Sequence, residues 1–197
     1  ANGAGKSLFL SAAHGLVTPN SGSIMWNGAA AESSRASRSF VFQSTPILRR
    51  SVAANVAFPL KARLLSRTEK SQVLTAALAE ARLGALARKP AATLSGGERK
   101  RMALARAMVT GPQVVLLDEP AANLDPASTK ELEESLLQIK ARGIKIILST
   151  HDIAQARRLA DDILFFDQGH LQEQSSAQDF FAAPTTSAAQ KYLRGEL

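Results

Sequence analysis

Val114-Val115-Leu116-Leu117-Asp118-Glu119 is a short, continuous apolar run that ends in two acids. A run of this kind suits a strand in a parallel sheet, which is covered by helices on both faces and so carries no polar alternation. In an open sheet of that class, the acids fall at the carboxyl edge of the strands, where ligands bind. A pair of solvated acids at a strand end is the plainer alternative, and the rest of the chain has to decide between them.

Working outward, Ile144 to Ser149 is a second apolar run. Asp125-Pro126 sets a cap and a first-turn proline at the head of an intervening helix that Gly143 can end. Toward the amino end, Ser7 to Leu16 reads as a helix, Ser23 to Trp26 as a strand before an Asn27-Gly28 turn, and Ser39 to Gln43 as another strand. Ile163 to Phe166 reads as one more strand, closed by Gln168-Gly169, with peripheral helix expected from there to Leu197. The stretch from about Ser51 to Pro90 is rich in Ala and Leu, and a Ser66-x-x-Glu69 capping box opens a helix within it. Strands alternating with helices predict an α/β fold with a mainly parallel sheet, and the middle stretch reads as a helical insertion.

The 197 residues fit one domain, or one domain with a small helical subdomain. The longest apolar runs fall far short of the ~18 residues of a membrane span. With no cysteine in the chain, disulfides and thiolate metal sites are excluded, and a cytoplasmic address is expected. A net charge of +7 is spread along a chain with 5% aromatics, which favours a solvated basic surface over a nucleic-acid partner.

Three stretches carry chemistry. Ala1-Asn2-Gly3-Ala4-Gly5-Lys6-Ser7 follows the phosphate-loop pattern G-x-x-x-x-G-K-[ST] without its first glycine. The glycines let backbone N–H groups turn toward a phosphate, Lys6 supplies charge to the outer phosphates, and the Ser7 hydroxyl can ligate magnesium. Asp118 can complete the magnesium shell, and Glu119 can polarise an attacking water. Leu94-Ser95-Gly96-Gly97-Glu98 opens a basic helix with a capping box. Two glycines in a first helical turn are poor helix formers, and they fit a backbone that a phosphate must approach closely.

The chain resembles an ABC (ATP-binding-cassette) ATPase, a P-loop NTPase fold. The Leu94 to Glu98 run matches the family signature. Gln43 after Phe40-Val41-Phe42 matches the Q-loop, Ala122-Asn123-Leu124-Asp125 the D-loop, and Ser149-Thr150-His151-Asp152 the switch segment, all in the family's order. The resemblance implies residues 1–50 and 110–197 as a RecA-like core and about 51–109 as a helical subdomain bearing the signature. It also implies opening strands and an adenine-stacking aromatic upstream of the loop, so the sequence reads as beginning inside its own motif and is expected, as given, to bind ATP weakly.

In such proteins two cassettes pack head to tail around ATP and Mg2+. Asn2, Gly3, Ala4, Gly5, Lys6 and Ser7 would then hold one nucleotide, while Ser95, Gly96 and Gly97 hold the other. The resemblance makes Glu119 the general base, puts His151 on the γ-phosphate, has Gln43 sense that phosphate and the magnesium, and places Asp125 at the dimer contact. Ser7, Gln43 and Asp118 would form the metal set. Leu8 departs from the pattern, because a second hydroxyl often stands there; His14 and His170 match no motif.

The short stretch between Gln43 and Ser95 leaves no room for the coiled coil of chromosome-associated relatives. A transporter ATPase is expected, peripheral on the cytoplasmic face of the membrane. Its partners would be a like cassette, permease subunits and, indirectly, an extracytoplasmic solute-binding protein. Ser7-Leu8-Phe9-Leu10 and Pro46-x-Leu48-Arg49-Arg50-Ser51-Val52 are similar to oxyanion importers of the tungstate type. A regulator acting on nucleic acid or ribosomes, or a binding module without turnover, are the other readings.

Overall fold

A computed structural model describes residues 3–196; Asn2, expected in the phosphate loop, lies outside the described residues. The first half holds α1 (Lys6–His14), β1 (Met25–Trp26), β2 (Ala29–Ala30), β3 (Arg38–Val41), α2 (Val52–Val56), α3 (Arg67–Glu80) and α4 (Gly96–Met108). The second half holds β4 (Val114–Asp118), α5 (Pro126–Ala141), β5 (Lys145–Ser149), α6 (Ile153–Leu159), β6 (Asp162–Asp167), β7 (His170–Ser176), α7 (Ala177–Ala182) and α8 (Ser187–Leu193).

β3, β4 and β5 form a parallel sheet with β4 in the centre, buried along its whole length. Successive β4 side chains point to opposite faces, and both faces are used. Val114 and Leu116 pack on Leu10 and Ala13 of α1. Val115 and Leu117 pack on Ala103, Leu104 and Ala107 of α4 and on Leu132, Leu136 and Ile139 of α5. The register pairs Val41 with Leu117 and Asp118 with Ser149, so all three strands run out at one edge.

The helical stretch has a second core. Val52 and Val56 of α2, Leu78 of α3, and Met102 and Ala105 of α4 pack together with Leu60, Leu83 and Leu94. α4 therefore belongs to both cores, one face to each. Both capping boxes form: Ser66 with Glu69 opens α3, and Ser95 with Glu98 opens α4. Asp125 caps α5 with Pro126 in its first turn, and Gly143, at φ +79°, follows its last residues.

The carboxyl end departs from expectation. Residues after Gln168-Gly169 are not all helix: His170 to Ser176 first returns as β7, antiparallel to β6. The turn allows it, since Gln168 and Gly169 both take positive φ, +46° and +80°, as tight hairpin turns require. Among the described residues β7 pairs with β6 alone, and an apolar groove of about 490 Å3 lined by Ile147, Leu148, Leu164 and Phe165 lies between β5 and the hairpin. Buried Glu173 of β7 accepts hydrogen bonds from the Thr185 and Thr186 N–H groups and so fixes the approach to α8. Two strand expectations shorten: β3 stops at Val41, which leaves Gln43 in a loop, and β1 holds only Met25 and Trp26. The Trp26 indole N–H donates to the Ala13 carbonyl (2.7 Å) and the Arg38 guanidinium lies over its ring at 4.9 Å.

Gly15 ends α1 at φ +89°, and a Cβ there would stand 2.9 Å from the backbone carbon and oxygen of Ala31. Gly22 also has positive φ, +79°, but open space around it. In denaturant melts Gly15→Ala should cost roughly 3 kcal/mol, because strain and an immovable backbone clash add, whereas Gly22→Ala should cost about 1 kcal/mol.

Candidate functional site

The site forms where the start of α1 meets the ends of β4 and β5. Gly3 and Gly5 take positive φ, +75° and +89°, which suits glycine alone without strain. Gly5 also brings no side chain to cap α1, so the helix opens toward the cleft with backbone alone at its N-cap. Lys6 and Ser7 follow in that first turn.

The Asp118 Oδ1 carboxylate oxygen accepts from Ser7 Oγ at 2.9 Å and from Ser149 Oγ at 2.6 Å. One buried acid thus ties α1, β4 and β5 together. Glu119, the next residue, takes φ +44°, a sparsely populated conformation for a residue with a side chain. Its N–H is held by the Ser149 carbonyl (3.2 Å) and hydroxyl (3.0 Å), which offsets the strain. The turned backbone puts its carboxylate between two cations or potential cations: Lys6 Nζ at 4.0 Å and His151 Nδ1 at 2.7 Å. His151 is itself fixed from the other side, where Tyr192 Oη donates to its carbonyl at 2.8 Å.

Gly3, Ala4, Gly5, Lys6, Ser7, Gln43, Glu119 and His151 line one polar cleft of about 730 Å3, together with the loop from Ala121 to Leu124. Leu8, which departs from the phosphate-loop pattern, lines it too and is 63% exposed. The pair of Ser7 hydroxyl and Asp118 carboxylate is an all-oxygen donor set suited to a hard cation such as Mg2+. His14 and His170 lie off the cleft; His14 is half-buried, stands edge-on to Phe40, and burial lowers its pKa below the ordinary histidine value.

Ser95, Gly96, Gly97 and Asp125 do not line this cleft. Within the chain Asp125 is a helix cap, accepting from Ser128 N (3.0 Å) and Ser128 Oγ (2.6 Å). These bonds hold its carboxyl below the usual aspartate range. Gly97 packs directly on Ser128, so the signature turn and the Asp125 cap form one contact. The phosphate loop and the signature turn of one chain are therefore two separate surfaces.

Two residues with a part in the site were given no role of their own from sequence. Ser149 stands there only as the opening residue of the switch segment, and its place opposite Asp118 comes from the strand register. Lys100 reads as one of several cations on a basic helix, yet it is 9% exposed and donates to the Gln43 carbonyl.

A family model described as ABC transporter matches residues 1–122. A tungstate uptake system ATP-binding protein, TupC, of Peptoclostridium acidaminophilum is 35% identical over 181 residues, 91% of this chain and 83% of that protein. A methionine import ATP-binding protein, MetN, of Sodalis glossinidius is 35% identical across all of this chain, which spans 60% of that relative's length. Among solved structures, cbiO1 from Clostridium perfringens, part of the ABC transporter complex cbiONQ, superposes with a TM-score of 0.84 at 30% identity. The superposition covers 93% of this chain and 77% of that one.

A Cβ on Gly97 would sit 2.6 Å from Ser128 Oγ and 2.9 Å from Ser128 Cβ. Gly97→Ala should destabilise the fold by about 1–3 kcal/mol through overpacking. Gly97→Ala with Ser128→Gly should regain most of that loss in the same melts, since the obstructing side chain is gone.

Proposed function

The chain belongs to the ABC transporter family, and from that premise we propose that it is the ATP-hydrolysing subunit of a membrane importer, with the cleft at the start of α1 as its nucleotide site. The observation that carries this is the Glu119 carboxylate, held by a strained backbone between Lys6 and His151 on the wall of a phosphate-loop cleft.

In this reading the α1 amino terminus, Gly3, Ala4, Gly5 and Lys6 receive the phosphates, with helix dipole and ammonium charge acting together. Ser7, Asp118 and Gln43 would hold Mg2+, which, when bound, neutralises charge on the transferred phosphoryl group. Glu119 orients a water and takes its proton as the water oxygen bonds to the γ-phosphorus. The bond from that phosphorus to the bridging oxygen breaks, leaving ADP and phosphate. His151, anchored by Tyr192, donates to the γ-phosphate oxygens. Little covalent chemistry is asked of the protein, so positioning and charge carry the rate.

Because Ser95, Gly96 and Gly97 do not line this cleft, the reading assigns them to the nucleotide of a second cassette, with Asp125 near that contact. Two copies of this chain are the simplest pair. Residues of about 51–109 act as the helical subdomain between cassette and permease. The protein then sits peripherally on the cytoplasmic face of the membrane, and an extracytoplasmic binding protein delivers solute. An oxyanion of the tungstate type is the solute favoured, supported by the motif similarity at Ser7 to Leu10 and by the tungstate relative.

Glu119→Gln, made in the full polypeptide, should leave ATP affinity within about threefold while turnover falls by ~100-fold or more, as for loss of one charge-stabilising group. Isothermal binding and phosphate-release assays read the two arms. Hydrolysis within threefold of the parent would overturn the assignment.

A further inference from the structure

Lys100 is a charged side chain left 9% exposed on α4, one turn beyond Gly97, and the hydrolysis just described makes no use of it. Burying an ammonium is costly unless it finds partners. Its Nζ donates to the backbone carbonyl of Gln43 at 2.6 Å. Burial pushes the group below the ordinary lysine range, while the charges of Asp118 and Glu119 draw it back up, which places the cation within electrostatic reach of both acids.

The position of α4 makes this bond more than local. Met102, Ala105 and Val109 pack with α2 and α3, while Ala103, Leu104 and Ala107 pack against the sheet. α4 is thus packed into the helical core and the sheet core at once, and a displacement of one relative to the other is felt along it. The loop after β3 is tied to the same helix a second time, since Arg106 Nη1 donates to the Pro46 carbonyl at 2.8 Å. Two cations of α4 therefore hold two carbonyls of the segment that carries Gln43.

We propose that Lys100 is a positioning residue for hydrolysis, fastening the Gln43 loop to the signature helix so that movement of the helix sets the place of the Gln43 side chain in the cleft. The proposal rests on the ATPase reading above. Lys100 touches no reacting atom in it and acts through Gln43. Small misplacements of a positioning group are enough to cost turnover without costing ground-state binding.

The test uses the full polypeptide and steady-state ATPase kinetics. Lys100→Met keeps the apolar stem and removes the charge and the donor; kcat should fall about tenfold while KM for ATP stays within about twofold. Lys100→Arg, which restores a donor, should recover part of kcat. In a Gln43→Ala background Lys100→Met should add less than about twofold, because the group it positions is already gone. Losses that multiply in the double variant, equal changes in kcat and KM, or a Lys100→Met kcat within twofold of the parent would each overturn the inference. Should Lys100→Met not fold, Lys100→Arg and Lys100→Gln carry the same comparison: Gln, a neutral donor too short for the span, should behave as Met was expected to. Glu119→Gln run alongside separates the two levels. A parent protein without ATP hydrolysis removes the ATPase reading itself, and surviving hydrolysis in Glu119→Gln removes the assignment of the cleft as its site, whereas a dead Glu119→Gln with an unimpaired Lys100→Met removes the Lys100 role alone.

Discussion

The Asp118 carboxylate is the constraint on which the rest of the structure depends. One of its oxygens accepts hydroxyl protons from Ser7 and Ser149, and so it draws the first turn of α1 and the end of β5 onto the end of β4. Hydrogen bonds to a carboxylate are stronger than those between neutral groups, more so where water is scarce. Asp118 is 8% exposed and Ser149 5%, which meets that condition. Glu119 inherits its place from this knot. Its N–H is bonded to Ser149, its backbone turns through positive φ, and its side chain emerges toward Lys6 and His151.

A second division of labour follows from packing. The sheet and the helical stretch each have a core, and α4 contributes a face to both. A helix with apolar residues on two faces cannot be oriented by one core alone, so its direction, and with it the aim of its first turn at Ser95, is set jointly. The cap at Asp125 adds to this, because Gly97 lies against Ser128, which that carboxylate holds. α5 and α6, which begin beside the cleft, are in turn clasped by the buried Glu133. It takes two hydrogen bonds from Arg158 and one from Gln155, and the bond to Arg158 depresses its carboxyl pKa.

Much of this was legible in the linear chain. Both capping boxes, the Asp125-Pro126 helix start and the apolar runs of β4 and β5 are local patterns, and each formed as its residues require. Gly3, Ala4, Gly5, Lys6, Ser7, Gln43, Glu119 and His151 come to one cleft as their motifs imply. What escaped was non-local. β7 has the polar sequence His170-Leu171-Gln172-Glu173-Gln174-Ser175-Ser176, and only the partner strand across a tight turn makes it a strand. Ser149 matters through its register with Asp118, and Lys100 through a carbonyl contributed by a loop far away in sequence. Neither relation leaves a trace in spacing or composition.

The placement of Trp26 has an optical consequence. The chain contains one tryptophan and one tyrosine, so its near-ultraviolet emission comes chiefly from a single indole. That indole is clipped by its N–H to Ala13 in the last turn of α1 and lies under the Arg38 guanidinium. Because the opposite end of the same helix bears Lys6 and Ser7, the wavelength and intensity of that emission report on the seating of α1 without any added dye.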